Sequence, residues 1–104
     1  MANISDPATT LTPVTALRID PRDTVATCLA DTAAGDRITV DMATITLIDA
    51  IPRGHKFALA PIARGDAVIK YGFPIGVATA DIAAGAHVHS HNLATALGGG
   101  DDYH

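Results

Sequence analysis

Four segments of this 104-residue chain share one pattern. TAAGDRI, IPRGHKF, IARGDAV and IAAGAHV each run apolar residue or Thr, two residues, Gly, two residues, apolar residue, with the glycines at 35, 54, 65 and 85. Glycine reaches crowded or positive-φ conformations that other residues avoid, so each copy reads as a turn whose flanking apolar residues anchor the incoming and outgoing chain in a core. The flanks of the first and last copies also agree, as LADTAAGDRITV against TADIAAGAHVHS. Spacings of 19, 11 and 20 residues are too uneven for a solenoid. They fit a compact, mainly β domain.

Strands are expected after each turn, at 37–40, 55–60, 67–70 and 87–91, with further strands at 44–48 in ATITLIDA and 76–79 in GVATA. Composition agrees, because Val, Ile and Thr are abundant and all 11 acidic residues are Asp, which favours turns and caps where Glu would extend a helix. One short N-terminal helix is predicted over about 21–31: Asp20 suits an N-cap, Pro21 the first helical position and Asp23 the first turn, while Val25, Ala26, Cys28 and Leu29 supply an apolar face. Residues 1–16, rich in Thr, Pro and Ala, read as a flexible leader, 17–94 as the domain and 95–104 as a flexible tail.

Several function classes lose their footing. A net charge of -4 with seven Lys plus Arg offers no electrostatic footprint for nucleic acid or an anionic membrane. Cys28 is the single cysteine, so no internal disulfide or cysteine-based zinc ribbon can form, and a cytoplasmic location is expected. MANISDPATTLTPVTA has neither a basic nor an apolar signal region, and no stretch reaches the length of a membrane span. Ser occurs only at 5 and 90, with no GxSxG, and GFPIG and GGG lack the context of phosphate loops. A domain this small does not wall off a deep active site by itself, so a partner chain or an oligomer is expected if it takes part in catalysis.

The chemistry-bearing residues gather around the turns. GAHVHSHN places His87, His89 and His91 at alternate positions, on one side of the expected strand. Read as a helix, the segment fails as a zinc protease motif, since position 88 is Val where Glu is required. On a strand, residues two apart lie about 7 Å apart at Cα. One metal ion therefore reaches His87 with His89, or His89 with His91, and a third ligand has to come from another loop or chain. A polar row on a solvated or interface face is the competing reading. RGHKFAL sets Arg53, His55 and Lys56 around a turn glycine, and IKYG sets Lys70 and Tyr71 before another. Such groups can grip a carboxylate or move a proton, or serve as solvated turn charges and a core edge.

Taken in order, PRDTVA, IPRGHKFAL and IARGDAVIKYGFPIGVATADIAAGAHVHSHN resemble the small SAF-type domain of the altronate and galactarate dehydratase family, over about residues 19–92. The specific signal is the ordered set GHK, KYG, IG and HVHxHN. The resemblance implies a β-clip fold of short twisted strands. It also implies a role as the small subunit of a two-component lyase, partnered by a large dehydratase-like catalytic subunit. That enzyme would eliminate water from a sugar acid, or sulfite from 3-sulfolactate as in sulfolactate sulfo-lyase. The end of the chain soon after HN matches a stand-alone small subunit.

By the same resemblance a divalent metal, iron by preference, is expected chiefly in the large subunit. His55, Lys56, His87 and His89 carry over as catalytic candidates, with Arg53, Lys70, Tyr71, His91 and Asn92 as substrate-binding ones. Ala86 departs from the acidic residue associated with its position. The alternatives are a SAF module that binds a sugar acid without turning it over, or one that only stabilises the large subunit.

Overall fold

The computed structural model describes residues 15–95. Nine short strands follow in order: β1 (Ala16–Leu17), β2 (Val25–Cys28), β3 (Arg37–Val40), β4 (Ala43–Thr46), β5 (Lys56–Ala58), β6 (Ala67–Lys70), β7 (Phe73–Ala78), β8 (His87–Val88) and β9 (Leu93–Ala94). They form a four-stranded sheet β1-β2-β5-β8, a three-stranded sheet β9-β7-β6 and the pair β3-β4. Every pairing is antiparallel. Among the described residues no helix is long and apolar enough to cross a membrane. Apart from Thr15, Ala16 and Thr95, the expected leader and tail lie outside the described residues.

The repeated motif is one hydrogen-bonded device used four times. In each copy a backbone bond spans three residues, Asp36 N to Ala33 O, His55 N to Pro52 O, Asp66 N to Ala63 O and Ala86 N to Ala83 O, at 2.9–3.1 Å. The glycine in third place has φ between 84° and 91°. That is a type II turn. The glycine N–H then donates to a carbonyl at the end of a distant strand, and that same residue donates back to the residue after the glycine: Leu47 serves Gly35, Cys28 serves Gly54, Ala78 serves Gly65 and Ala58 serves Gly85. An Asp carboxylate steadies three of the turns, Asp31 accepting from Arg53 N at 2.8 Å, Asp81 from Arg64 N at 2.9 Å and Asp36 from Ala33 N at 2.8 Å.

These bonds relate two copies of one substructure. Shifting 25–40 forward by 50 residues and 43–58 by 11 turns the pairs Lys56↔Thr27 and Phe57↔Ala26 into Ala67↔Val77 and Val68↔Gly76. The same shifts turn Arg37↔Thr46 and Ile38↔Ile45 into His87↔Phe57 and Val88↔Lys56. Each copy has its own apolar core. Cys28, Ile38, Leu47, Ile51 and Phe57 belong to one, and their counterparts Ala78, Val88, Ala58, Ile62 and Val68 to the other. Strand β5 is common to both copies, with Phe57 in the first core and Ala58 in the second.

This arrangement corrects the expected helix at 21–31. Residues 25–28 are strand β2, and Asp20–Asp23 close a turn through Asp23 N to Asp20 O, 2.9 Å. Strand β2 lies between the two cores, Val25 in one and Ala26 with Cys28 in the other, so nearly every position is apolar and the alternation of a half-buried strand is lost. Asp, Pro and Asp are favoured in turns for the same side-chain-to-backbone bonding that favours them at helix starts. Of the other expected strands, those at 37–40 and 67–70 have the predicted limits, those at 44–48, 55–60 and 76–79 are present with shifted ends, and the one predicted at 87–91 stops at Val88.

Candidate functional site

Strand β8 is short because Asn92 folds the chain back. Its amide nitrogen donates to His87 O at 2.8 Å, its amide oxygen accepts from His89 N at 3.0 Å, and its backbone N donates to His89 O at 3.0 Å. Residues 89–92 are therefore a turn, and the row His87, His89, His91 is bent rather than straight. The bend gathers the rings. His87 and His89 stack with centroids 5.5 Å apart, and His91 lies 5.4 Å from His87.

The loop that brings a further imidazole to this row is GHK. Ladder pairs Phe57↔His87 and Lys56↔Val88 carry His55 to a place beside β8. Its ring stacks on His89 at 4.4 Å, and its Nδ1 lies 2.9 Å from His87 Nε2, a hydrogen bond sharing one proton between two imidazoles. One nitrogen from each of His55, His87 and His89 falls within a 4.8 Å group. The donors fit a metal that accepts imidazole nitrogen. His55 and His87 are half-buried and His89 is exposed, so the group opens at the surface.

Two further contacts fix His87. Its backbone N–H donates to Asp49 Oδ2 at 2.9 Å, and Ile48 N donates to Gly85 O at 3.0 Å, so the segment after β4 clamps the start of β8. Burial pushes the His87 imidazole below its ordinary pKa of 6.5, and His55, His91 and His89 push it further, against a smaller opposing pull from Asp49. His89 is lowered as well, by desolvation among the rings and then by His55, Lys56 and His91. Both rings are thus biased to the neutral form at neutral pH, the form that accepts a proton or binds a metal.

Lys56 extends the site. Burial lowers the pKa of its ammonium, and Lys70 lowers it further. Lys70 in turn lies over the ring of Tyr71, 4.9 Å from its centroid. Tyr71 has φ 57° and Gly72 φ 77°, the two-residue turn that joins β6 to β7. Asp23 holds this turn. Its buried carboxylate accepts from Gly72 N at 2.8 Å, Asp20 N at 3.1 Å and Ile19 N at 3.3 Å. Burial opposes the Asp23 charge, but backbone donors from Gly72, Asp20, Tyr71 and Ile19 outweigh it and the pKa is lowered.

The structure thus brings His55, His87, His89 and His91 together, with Lys56 and then Lys70 and Tyr71 leading away from them. Arg53 stands apart: it is exposed, its backbone N–H is given to Asp31, and it is not among the charges that bear on His87 or His89. The polar atoms of the Asn92 side chain are engaged by the chain's own backbone, so it shapes the site. Asp49 and Asp23 were missed in the sequence, because an isolated Asp in a loop has no local signature of the backbone it will hold.

The profile of the altronate/galactarate dehydratase SAF domain matches residues 14–96. The chain belongs to that SAF domain family. It is 55% identical to an altronate dehydratase of Escherichia coli (strain K12) over 87 residues, 84% of this chain but 18% of that protein. With an altronate dehydratase of Bacillus subtilis (strain 168) the identity is 43% over 81 residues, 78% of this chain and 16% of that protein. The alpha subunit of a (2R)-sulfolactate sulfo-lyase of Paracoccus pantotrophus is 51% identical over 45 residues, 43% of this chain and 67% of that subunit. The SAF domain therefore spans less than a fifth of the altronate dehydratases it matches.

Proposed function

We propose that this SAF domain is the small, substrate-facing component of a lyase that removes water from a sugar acid, or sulfite from 3-sulfolactate, in partnership with a large catalytic subunit. The reading is supported most by one observation: GHK and HVHSHN, far apart in the sequence, bring His55, His87 and His89 within reach of one small ligand, with Lys56 beside them. Its relatives include whole altronate dehydratases and a subunit of a sulfo-lyase.

The chemistry asks for a base, a grip on the carboxylate and an acid. The proton on C2 of a 2-hydroxy acid leaves to a base, its bonding electrons form the C2–C3 double bond, and the group on C3 departs, a hydroxyl taking up a proton as it goes. The resulting enol tautomerises to a 2-keto acid. Where they hold no ion, neutral His87 and His89 are suited to take the proton, and an imidazolium or the Lys56 ammonium to return one. The charge that develops on the substrate carboxylate calls for cations nearby, which Lys56 and Lys70 supply. A divalent ion, when bound in the assembled enzyme, adds a Lewis acid for the same oxygens.

The test is to co-express the chain with a large dehydratase-like subunit and assay elimination from a panel of sugar acids and 3-sulfolactate, beside His55→Ala, His87→Ala and His89→Ala. Activity that requires this chain and falls at least ~100-fold in folded, still-associated variants is the expected outcome. Variants that associate and keep full activity would reduce the domain to a stabilising scaffold.

A further inference from the structure

We infer that this chain itself carries a transition-metal site on His55 Nδ1, His87 Nε2 and one nitrogen of His89, with a coordination position left open to solvent. The inference rests on the imidazole geometry and stands whether or not the lyase reading does. At metal–nitrogen bonds of about 2.0–2.1 Å, two ligands of a tetrahedral ion lie about 3.3 Å apart. His55 Nδ1 and His87 Nε2 are 2.9 Å apart, so an ion replaces the proton between them with a slight opening of the pair. The third nitrogen lies within the same 4.8 Å group, on an exposed turn.

The backbone is already fixed on both sides. Asp49 and Asn92 hold His87 and His89 by four hydrogen-bonding atoms, and the type II turn at Gly54 holds His55, so little ordering remains to be done on binding.

The donor set names the class of ion. Three imidazole nitrogens with no thiolate among them favour a divalent first-row transition ion such as zinc, cobalt or nickel, and disfavour magnesium and calcium, which require oxygen ligands. Asp49, the acidic group that bears on His87, has an oxygen committed to the His87 N–H. Three protein ligands plus an open position is the form of a site that works on a small ligand. A carboxylate oxygen of a 2-hydroxy acid matches an open position next to Lys56.

A flexible histidine-rich segment would bind metal through His87, His89 and His91 alone. The folded site instead needs His55, 32 residues away from His87, and does not need His91. The full 104-residue chain, freed of metal, is titrated calorimetrically with Zn(II), with Mg(II) as control, and with Co(II) while its visible ligand-field bands are recorded. Circular dichroism verifies that each variant is folded. The expected result is one ion per chain, no magnesium binding, an affinity loss of about 100-fold or more in His55→Ala, His87→Ala and His89→Ala, and a change under about threefold in His91→Ala.

Saturable zinc binding that ignores His55→Ala, or that is lost in His91→Ala, overturns the inference, as does failure to bind zinc. Metal binding without lyase activity in the assembled complex would refute the proposed function and leave the site standing. Activity in the complex without metal binding to this chain would do the reverse.

Discussion

Gly35 and Gly85 occupy the same place in the two copies, and they permit a controlled substitution. Both have positive φ, 91° and 84°, so Ala at either pays the left-handed cost of an L residue, about 1–2 kcal/mol. At Gly35 a Cβ meets nothing within 4 Å. At Gly85 it would run into the carbonyl oxygen of Thr46 and crowd Leu47, both backbone and unable to swing aside.

Relief of that clash requires β8 to move from the end of β4. The bonds at risk are Ile48 N to Gly85 O and His87 N to Asp49 Oδ2, each contributing about 0.5–1.5 kcal/mol. With the overpacking itself at about 1–3 kcal/mol, Gly85→Ala should cost roughly 2–4 kcal/mol more than Gly35→Ala. In a domain of this size each kcal/mol lowers Tm by about 4–8 °C. Urea unfolding of both variants and wild type measures the difference directly. Equal costs within about 0.5 kcal/mol would refute the claim that the Thr46–Asp49 segment presses on Gly85 and so positions His87.

Two further outcomes follow from the bonds around the site. The Asp23 carboxylate has a pKa below its unfolded value, so its stabilising contribution is complete above the ordinary carboxylate range near pH 4 and is lost as pH falls through the lower folded value. Asp23→Asn should destabilise by about 1–3 kcal/mol at neutral pH, by leaving a partly buried N–H without its acceptor, and the urea-midpoint gap to wild type should narrow in acid; a gap independent of pH would contradict the charge-to-backbone account. Asn92→Ala should leave the two cores folded but free the 89–92 turn, seen as broadened or averaged NMR signals from His89 and His91 with the core signals of Phe57 and Val68 unchanged, and unaltered ring signals would show that Asn92 does not hold the turn.

Much of the fold could be read from the chain because the information was local. A type II turn needs its glycine and its flanking anchors within seven residues, and the turns at Gly35, Gly54, Gly65 and Gly85 stand where the motif put them. Strands β3 and β6 follow two of those turns with the predicted limits. What failed was decided at a distance. Strand β2 was read as a helix because both its faces are buried, a fact set by where β5, β6 and β7 lie. The end of β8 depends on Asn92 reaching back to His87 O. The role of Asp23 depends on Gly72, 49 residues away.

The chain's own repetition gives the site histidines a second, independent signal. Where the two copies agree, in the glycines, in Asp31 and Asp81 and in the apolar anchors Ile51 and Ile62, the shared residues build the turn device and the cores. Where they differ outside the two cores, at matched polar positions, the framework closes with either residue. The first copy has Arg37 where the second has His87. Opposite residues Thr39 and Thr44 of β3 and β4, whose hydroxyls meet at 3.2 Å, correspond to His89 and His55, whose rings stack at 4.4 Å. The first copy shows that this framework closes with a threonine pair and an exposed arginine. The imidazoles of the second are therefore surplus to folding, and a surplus of three that converge in space, at the cost of mutual repulsion when charged, is what a binding site looks like against its own scaffold.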